Sequence, residues 1–186
     1  MSNLKSAWEI AMEKVEKLDD VKLAELKKKD EERCRLAGRA VAERYFTGRD
    51  LRQLAEDLEK YHGEEKELIK SAAISGLVDE ITLGDDEKLD AAVRGILFLT
   101  GDERVRETGA RIKLLFEQYR RAEREKMEEM AAAGKKILQQ MGVSGGAIKA
   151  INPVAGEDFK QTIKEMARPY EKELENYRQQ ILITSI

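Results

Sequence analysis

The sequence predicts an all-α protein, an elongated antiparallel helical bundle or coiled coil with a small helical head inserted between N- and C-terminal arms. Three observations carry this. The stretch from Arg104 to Met141 holds helical apolar spacing with no proline and only two glycines, Gly109 and Gly134. Just two prolines, Pro153 and Pro169, occur in 186 residues. Charged residues make up 38% of the chain, well above the usual quarter, and the excess is mostly Glu, Lys and Arg, which favour helices. An ordinary compact domain has no need of so long a helix, so the pattern points to contact with other chains.

The first helix is expected over about 3–18, capped by Ser2 or Asn3, because Leu4, Trp8, Ala11, Val15 and Leu18 step at heptad spacing. Asp19-Asp20 either caps a second helix or marks a kink. Val21, Leu23 and Leu26 continue it, and residues 27–33 are then polar all round, as in a helix that crosses solvent. Periodicity returns at Leu36, Ala37, Ala40, Val41 and Tyr45, and Thr47-Gly48 ends the segment, with Gly48 read as a left-handed cap. Residues 1–49 therefore read as an N-terminal arm.

Residues 50–101 read as a compact head of short helices. Asp50 caps one carrying Leu51, Leu54, Leu58 and Tyr61, and Gly63 breaks it. The next, about 64–81, carries Leu68, Ile69, Ala72, Leu77, Val78 and Ile81, and Leu83-Gly84 turns the chain. Asp85 or Asp86 caps the helix that Gly101 ends. That helix is apolar nearly all round at its C-terminal end, as buried helices are.

The 102–186 region opens with Asp102 as cap of the long helix. Val105, Gly109, Ile112, Phe116 and Tyr119 form its seam, which thins through 120–129 and resumes at Met130, Ala133, Ile137 and Met141. At about 1.5 Å per residue it spans roughly 55–60 Å. Residues 142–156 hold four glycines and a proline. A connection that long is usually functional or mobile. The last helix, about 157–182, carries Phe159, Ile163, Met166, Tyr170, Leu174, Tyr177 and Ile181, with Pro169 expected to kink it. It is expected to pack on the N-terminal arm.

The net charge of −3 gives no overall basic excess to drive nonspecific nucleic-acid binding. Lys27–Lys29 and Arg120, Arg121 and Arg124 are local basic clusters, interleaved with Asp30, Glu31, Glu123 and Glu125. Alternating sign of this kind marks a salt-bridged, solvated face. Cys34 is the only cysteine, so no internal disulfide forms, as suits a reducing cytoplasm. The opening residues lack an apolar signal core, and no stretch approaches the ~20 apolar residues of a membrane span. The reading is a cytoplasmic protein without membrane contact.

Catalytic and metal motifs fare poorly. Gly142 to Gly146 fits G-x-S-x-G around Ser144, but the nucleophile elbow needs a preceding strand and a nearby histidine. Here a helix precedes it, and the lone histidine is His62. The same glycines suit a nest of backbone N–H groups that binds an anion, with Lys149 nearby, though no Walker spacing follows. Glu59 and His62 form one E-x-x-H where a di-metal bundle needs two. No catalytic residue, cofactor or metal is expected. The chain ends in a run without charged side chains, Ile181 to Ile186.

The function expected is therefore a noncatalytic adaptor or scaffold that contacts partner proteins or a second copy of itself. Its candidate interaction residues are Gly142, Ser144, Gly145, Gly146 and Lys149 of the loop, Arg120, Arg121 and Arg124 of the long helix, and Ile183 and Ile186 of the tail. The alternatives are a ribosome- or RNA-associated factor using the Arg and Lys clusters, and a small anion or phosphate binder at 142–156.

Overall fold

The computed structural model describes the backbone at residues 7–142 and 157–185, and side chains at Glu25, 27–142 and 159–185. Within these it is all-helical: α1 (Ala7–Gly48), α2 (Leu51–Glu59), α3 (Gly63–Asp79), α4 (Asp86–Thr100), α5 (Arg104–Gln140) and α6 (Glu157–Ser185), with no strand among the described residues. The helices pack as bundles. The chain divides into two compact units, Met1–Gly76 and Leu77–Ile186.

In the first unit, α1 is one continuous helix of 42 residues. Asp19-Asp20 neither caps a new helix nor ends the old one, because the residues on both sides are good helix formers and no glycine or proline interrupts them. The seams read at Leu4, Trp8, Ala11, Val15 and Leu18, and at Val21, Leu23 and Leu26, lie outside the described side chains. Residues 27–33 are all exposed, as their polarity requires. From there the buried face is Cys34, Gly38, Val41, Ala42 and Tyr45, whereas Leu36 is 59% exposed and Ala40 is exposed. The inward face thus keeps Val41 and Tyr45 of the predicted seam and turns away from Leu36 and Ala40.

The reason is a close helix crossing. A methyl group on Gly38 would stand 2.5 Å from Ala72 Cβ and 2.6 Å from Ile69 O, and one on Gly76 would stand 2.9 Å from Ala42 Cβ. Gly38 and Ala42 thus meet Ala72 and Gly76, four residues apart on each of two parallel helices. Small residues let the backbones touch, so they outrank Leu36 for the inward position. α2 runs back along α1: Arg44 Nε lies 2.9 Å from Oδ2 of the buried Asp57, whose Oδ1 accepts from Lys60 Nζ at 2.5 Å. The Arg44 N–H does not aim along its contact, so Oδ2 is held by charge attraction and not by an aligned hydrogen bond. The left-handed residue after α1 is Arg49 (φ 52), not Gly48; its N–H donates to Tyr45 O at 2.6 Å.

In the second unit, α4 and α5 are antiparallel. Gly109 faces Val93, and Lys113 pairs with Asp90 at 2.7 Å. α5 and α6 are antiparallel as well, since Tyr119 meets Tyr170 while Arg111 acts on Tyr177. The α5 seam is buried at Val105, Gly109, Ile112 and Phe116 and half-buried at Tyr119. On α6, Phe159, Ala167, Leu174 and Ile181 are buried. Pro169 lies inside this continuous helix, where it deprives the Glu165 carbonyl of its usual donor. Asp85 caps α4 by accepting from the Lys88 N–H, and Gly101 closes it with φ 68. Asp102 Oδ1 accepts from the Arg104 N–H at 2.9 Å and so serves the start of α5.

Candidate functional site

The connection from α3 to α4 is held by side chains of α5 and α6. Thr82 O accepts from the Asp85 N–H at 3.2 Å, and Gly84 sits at φ 82 in the third position of that turn, the position where a type II turn demands glycine. Arg120 of α5 donates to Asp86 Oδ2 at 2.7 Å and reaches Gly84 O at 3.5 Å. Arg178 of α6 donates to Ile81 O through Nε at 3.1 Å and also through Nη2. Ile81 is fully buried, so its carbonyl needs a partner from the protein. Lys88 Nζ donates to Glu80 Oε2 at 2.9 Å beside the same turn.

This anchored turn forms one lip of a cleft of about 540 Å³ lined by Thr82, Leu83, Tyr119, Ala167, Glu171, Leu174, Glu175 and Arg178. The floor is apolar, with Ala167 and Leu174 buried. The Tyr119 ring stands edge-on to Tyr170, centroids 5.6 Å apart at 66°, and Gly84 packs against its edge. Burial, followed by the Glu123 and Glu171 carboxylates, pushes the Tyr119 phenol up, and its hydroxyl donates to Glu123 at 3.3 Å. Hydrogen bonds from Gln179 and then from Arg178 hold Glu175 below the ordinary carboxylate range. Glu171 is exposed and makes no hydrogen bond or ion pair among the described residues. The cleft therefore carries two carboxylates against one guanidinium, and that guanidinium is already turned onto Ile81 O.

The residues singled out from sequence are not brought together. Arg120 turns inward onto Asp86, half-buried, while Arg121 and Arg124 stay exposed. All three line a shallow groove of about 480 Å³ with Leu114, Glu117 and Gln118. Gly142 ends α5 exposed at φ 80; Ser144, Gly145, Gly146, Lys149 and Ile186 lie outside the described residues, and so does the loop site they were to form. Ile181 is fully buried, but Ile183 is 82% exposed, because two steps along a helix turn a side chain through about 200°. Leu182 is half-buried.

Sequence reasoning placed Tyr119 and Leu174 in seams and Leu83 at a turn, and passed over Thr82, Ala167, Glu171, Glu175 and Arg178. Acids and arginines are common throughout this chain, and nothing in their spacing marks these. Among the described residues, no three His, Cys, Asp or Glu side chains come together to hold a metal, and no helix is long and apolar enough to cross a membrane. His62 is exposed at the start of α3, and Cys34 is a buried free thiol.

The fold and cleft define a class: an all-helical protein with an aromatic-walled cleft between a pinned turn and two antiparallel helices. The chain belongs to the family of unknown function DUF6657, whose model matches residues 55–182. Every residue lining the cleft falls inside that span, and the whole of α1 falls outside it. No curated protein and no solved structure matches the chain.

Proposed function

We propose that the protein is a noncatalytic helical adaptor or scaffold that presents helix faces to partner proteins, working in the cytoplasm. One observation carries the reading. The seam that buries Val105, Ile112 and Phe116 thins through 120–129 and resumes in phase at Met130, Ala133 and Ile137; Ile137 is 56% exposed, and Met141, one residue past the next heptad position, is 72% exposed. Single exposed apolar residues mean little. An apolar seam that resumes in phase on an exposed face suits a further helix. The test is affinity capture from native lysate, with and without nuclease, using the wild type and Ile137→Ser. Protein partners that survive nuclease and are lost in the variant support the reading. Capture that is unchanged by the variant, or absent from the wild type, refutes it.

A second reading, an RNA- or ribosome-associated factor, draws on the exposed pair Arg121 and Arg124. Glu117 in the same groove and the commitment of Arg120 to Asp86 count against it. Loss of all captured protein on nuclease treatment would favour it.

A further inference from the structure

We infer that the first part of α6, residues 157–168, is a strap that opens from α5 about Pro169 while the rest of the helix stays docked, and that opening bares Met127 and Met130 of α5; the use made of the bared stripe rests on the adaptor reading. The argument begins with the backbone. Pro169 lies inside α6 and has no N–H to give, so the Glu165 carbonyl goes without the bond a helix normally supplies. Helices bend at such positions. Pro169 is exposed, so no neighbouring helix grips its ring and resists a change of angle there.

The two sides of the proline are held unequally. Just after it, the Tyr170 ring stands edge-on to Tyr119 with centroids 5.6 Å apart. Further on, Arg178 donates to Ile81 O at 3.1 Å, and Leu174 and Ile181 are 3% and 0% exposed. Before the proline, Phe159 is the one large side chain that is buried among the described residues. Ile163 and Met166 are half-buried, and the small Ala167 is buried beside the hinge. A segment with few buried apolar contacts opens at lower cost than one with many. The clamp therefore begins at Tyr170, and the strap lies on the other side of the hinge. Antiparallel helices rise equally per residue, so the register that sets Tyr170 beside Tyr119 brings Phe159 level with about residue 130 of α5. Met127 and Met130 are half-buried there. Met130 is in phase with the exposed Ile137, so opening lengthens the apolar face that a partner helix meets.

The test is hydrogen exchange of the purified protein, read by mass spectrometry on peptides from each side of Pro169. Amides of 160–168 are expected to exchange at least about tenfold faster than those of 174–182. Pro169→Ala restores the missing N–H and should slow the first segment about fivefold, the scale of one hydrogen bond, without altering the second. Phe159→Ala should speed the first segment about tenfold or more, again leaving the second as it was, and should raise the amount of partner captured from lysate. Equal exchange on the two sides of Pro169 would overturn the strap. So would a Pro169→Ala or Phe159→Ala effect shared by both segments, or absent from the first. Unchanged capture by Phe159→Ala overturns the role given to the opening. The adaptor reading falls on separate grounds, if the wild type captures no protein or Ile137→Ser leaves capture unchanged.

Discussion

Replacing Gly38 with alanine tests the packing of the first unit most sharply. The added methyl would stand 2.5 Å from Ala72 Cβ, 2.6 Å from Ile69 O and 2.8 Å from Ala73 N. Carbon atoms in contact prefer about 3.5–4.0 Å, so α1 and α3 must separate by about an ångström. Two of the three obstacles are backbone atoms, and no side-chain rotation relieves them. Separation loosens the contacts of the buried Val41, Ala42, Ile69 and Ala73. Overpacking of this kind costs about 1–3 kcal/mol, and backbone obstacles argue for the upper end. Alanine returns about 1 kcal/mol of helix propensity. The net expectation is a loss of about 2 kcal/mol. Gly48→Ala is the control: its methyl meets only Gln53 Oε1, at 3.7 Å, so it should stabilise by about 0.5 kcal/mol. Urea unfolding followed by helical circular dichroism reads both, with the transitions of the two units fitted separately. A Gly38→Ala protein as stable as the wild type would refute the close crossing.

Three further outcomes are expected. Arg178→Met removes the donor to the buried Ile81 carbonyl and should cost about 1–3 kcal/mol in thermal or urea unfolding; no change would mean that the carbonyl is satisfied another way. The Tyr119 phenol is raised in the folded protein, so the folded state holds that proton more tightly than the unfolded chain. Its contribution to stability is complete below the unfolded value of about 10 and is lost as pH rises through the folded value. Alkaline titration at the phenolate absorbance should show a late phase that Tyr119→Phe diminishes, and an unaltered curve would contradict the burial of this ring. On α6, Ile181→Ala should cost about 2–5 kcal/mol and Ile183→Ser under about 0.5 kcal/mol; equal effects would place the two side chains in the same environment.

Spacing made much of the second unit legible. Val105, Gly109, Ile112 and Phe116 step around a helix at heptad intervals, and all four are buried. Asp85, Gly84 and Gly101 announced their cap and turns because left-handed backbone and orphan amides select those residue types. The α1 face was misread for a physical reason. Gly38 and Ala42 bury little apolar area, so they weigh nothing in a hydrophobic pattern, yet they govern how close two backbones come. Asp57 was missed because a buried acid needs Arg44 and Lys60 beside it, and that pairing with Arg44 crosses from one helix to another. The cleft was invisible for the same cause. Thr82, Tyr119, Glu171 and Arg178 come from three separate parts of the chain, and only folding makes them neighbours. Arg120 looked like part of a basic patch until Asp86, far away in sequence, proved to be its partner.

The claim that this chain works by holding partner proteins is tested most directly by photocrosslinking in native lysate. A benzoylphenylalanine placed at Ile137, where the α5 seam resumes on an exposed face, is compared with one at Glu107, an exposed polar position on the same helix. The account predicts a discrete protein adduct at Ile137 that survives nuclease treatment, with none at Glu107. No adduct at Ile137, or one that disappears with nuclease, would contradict it.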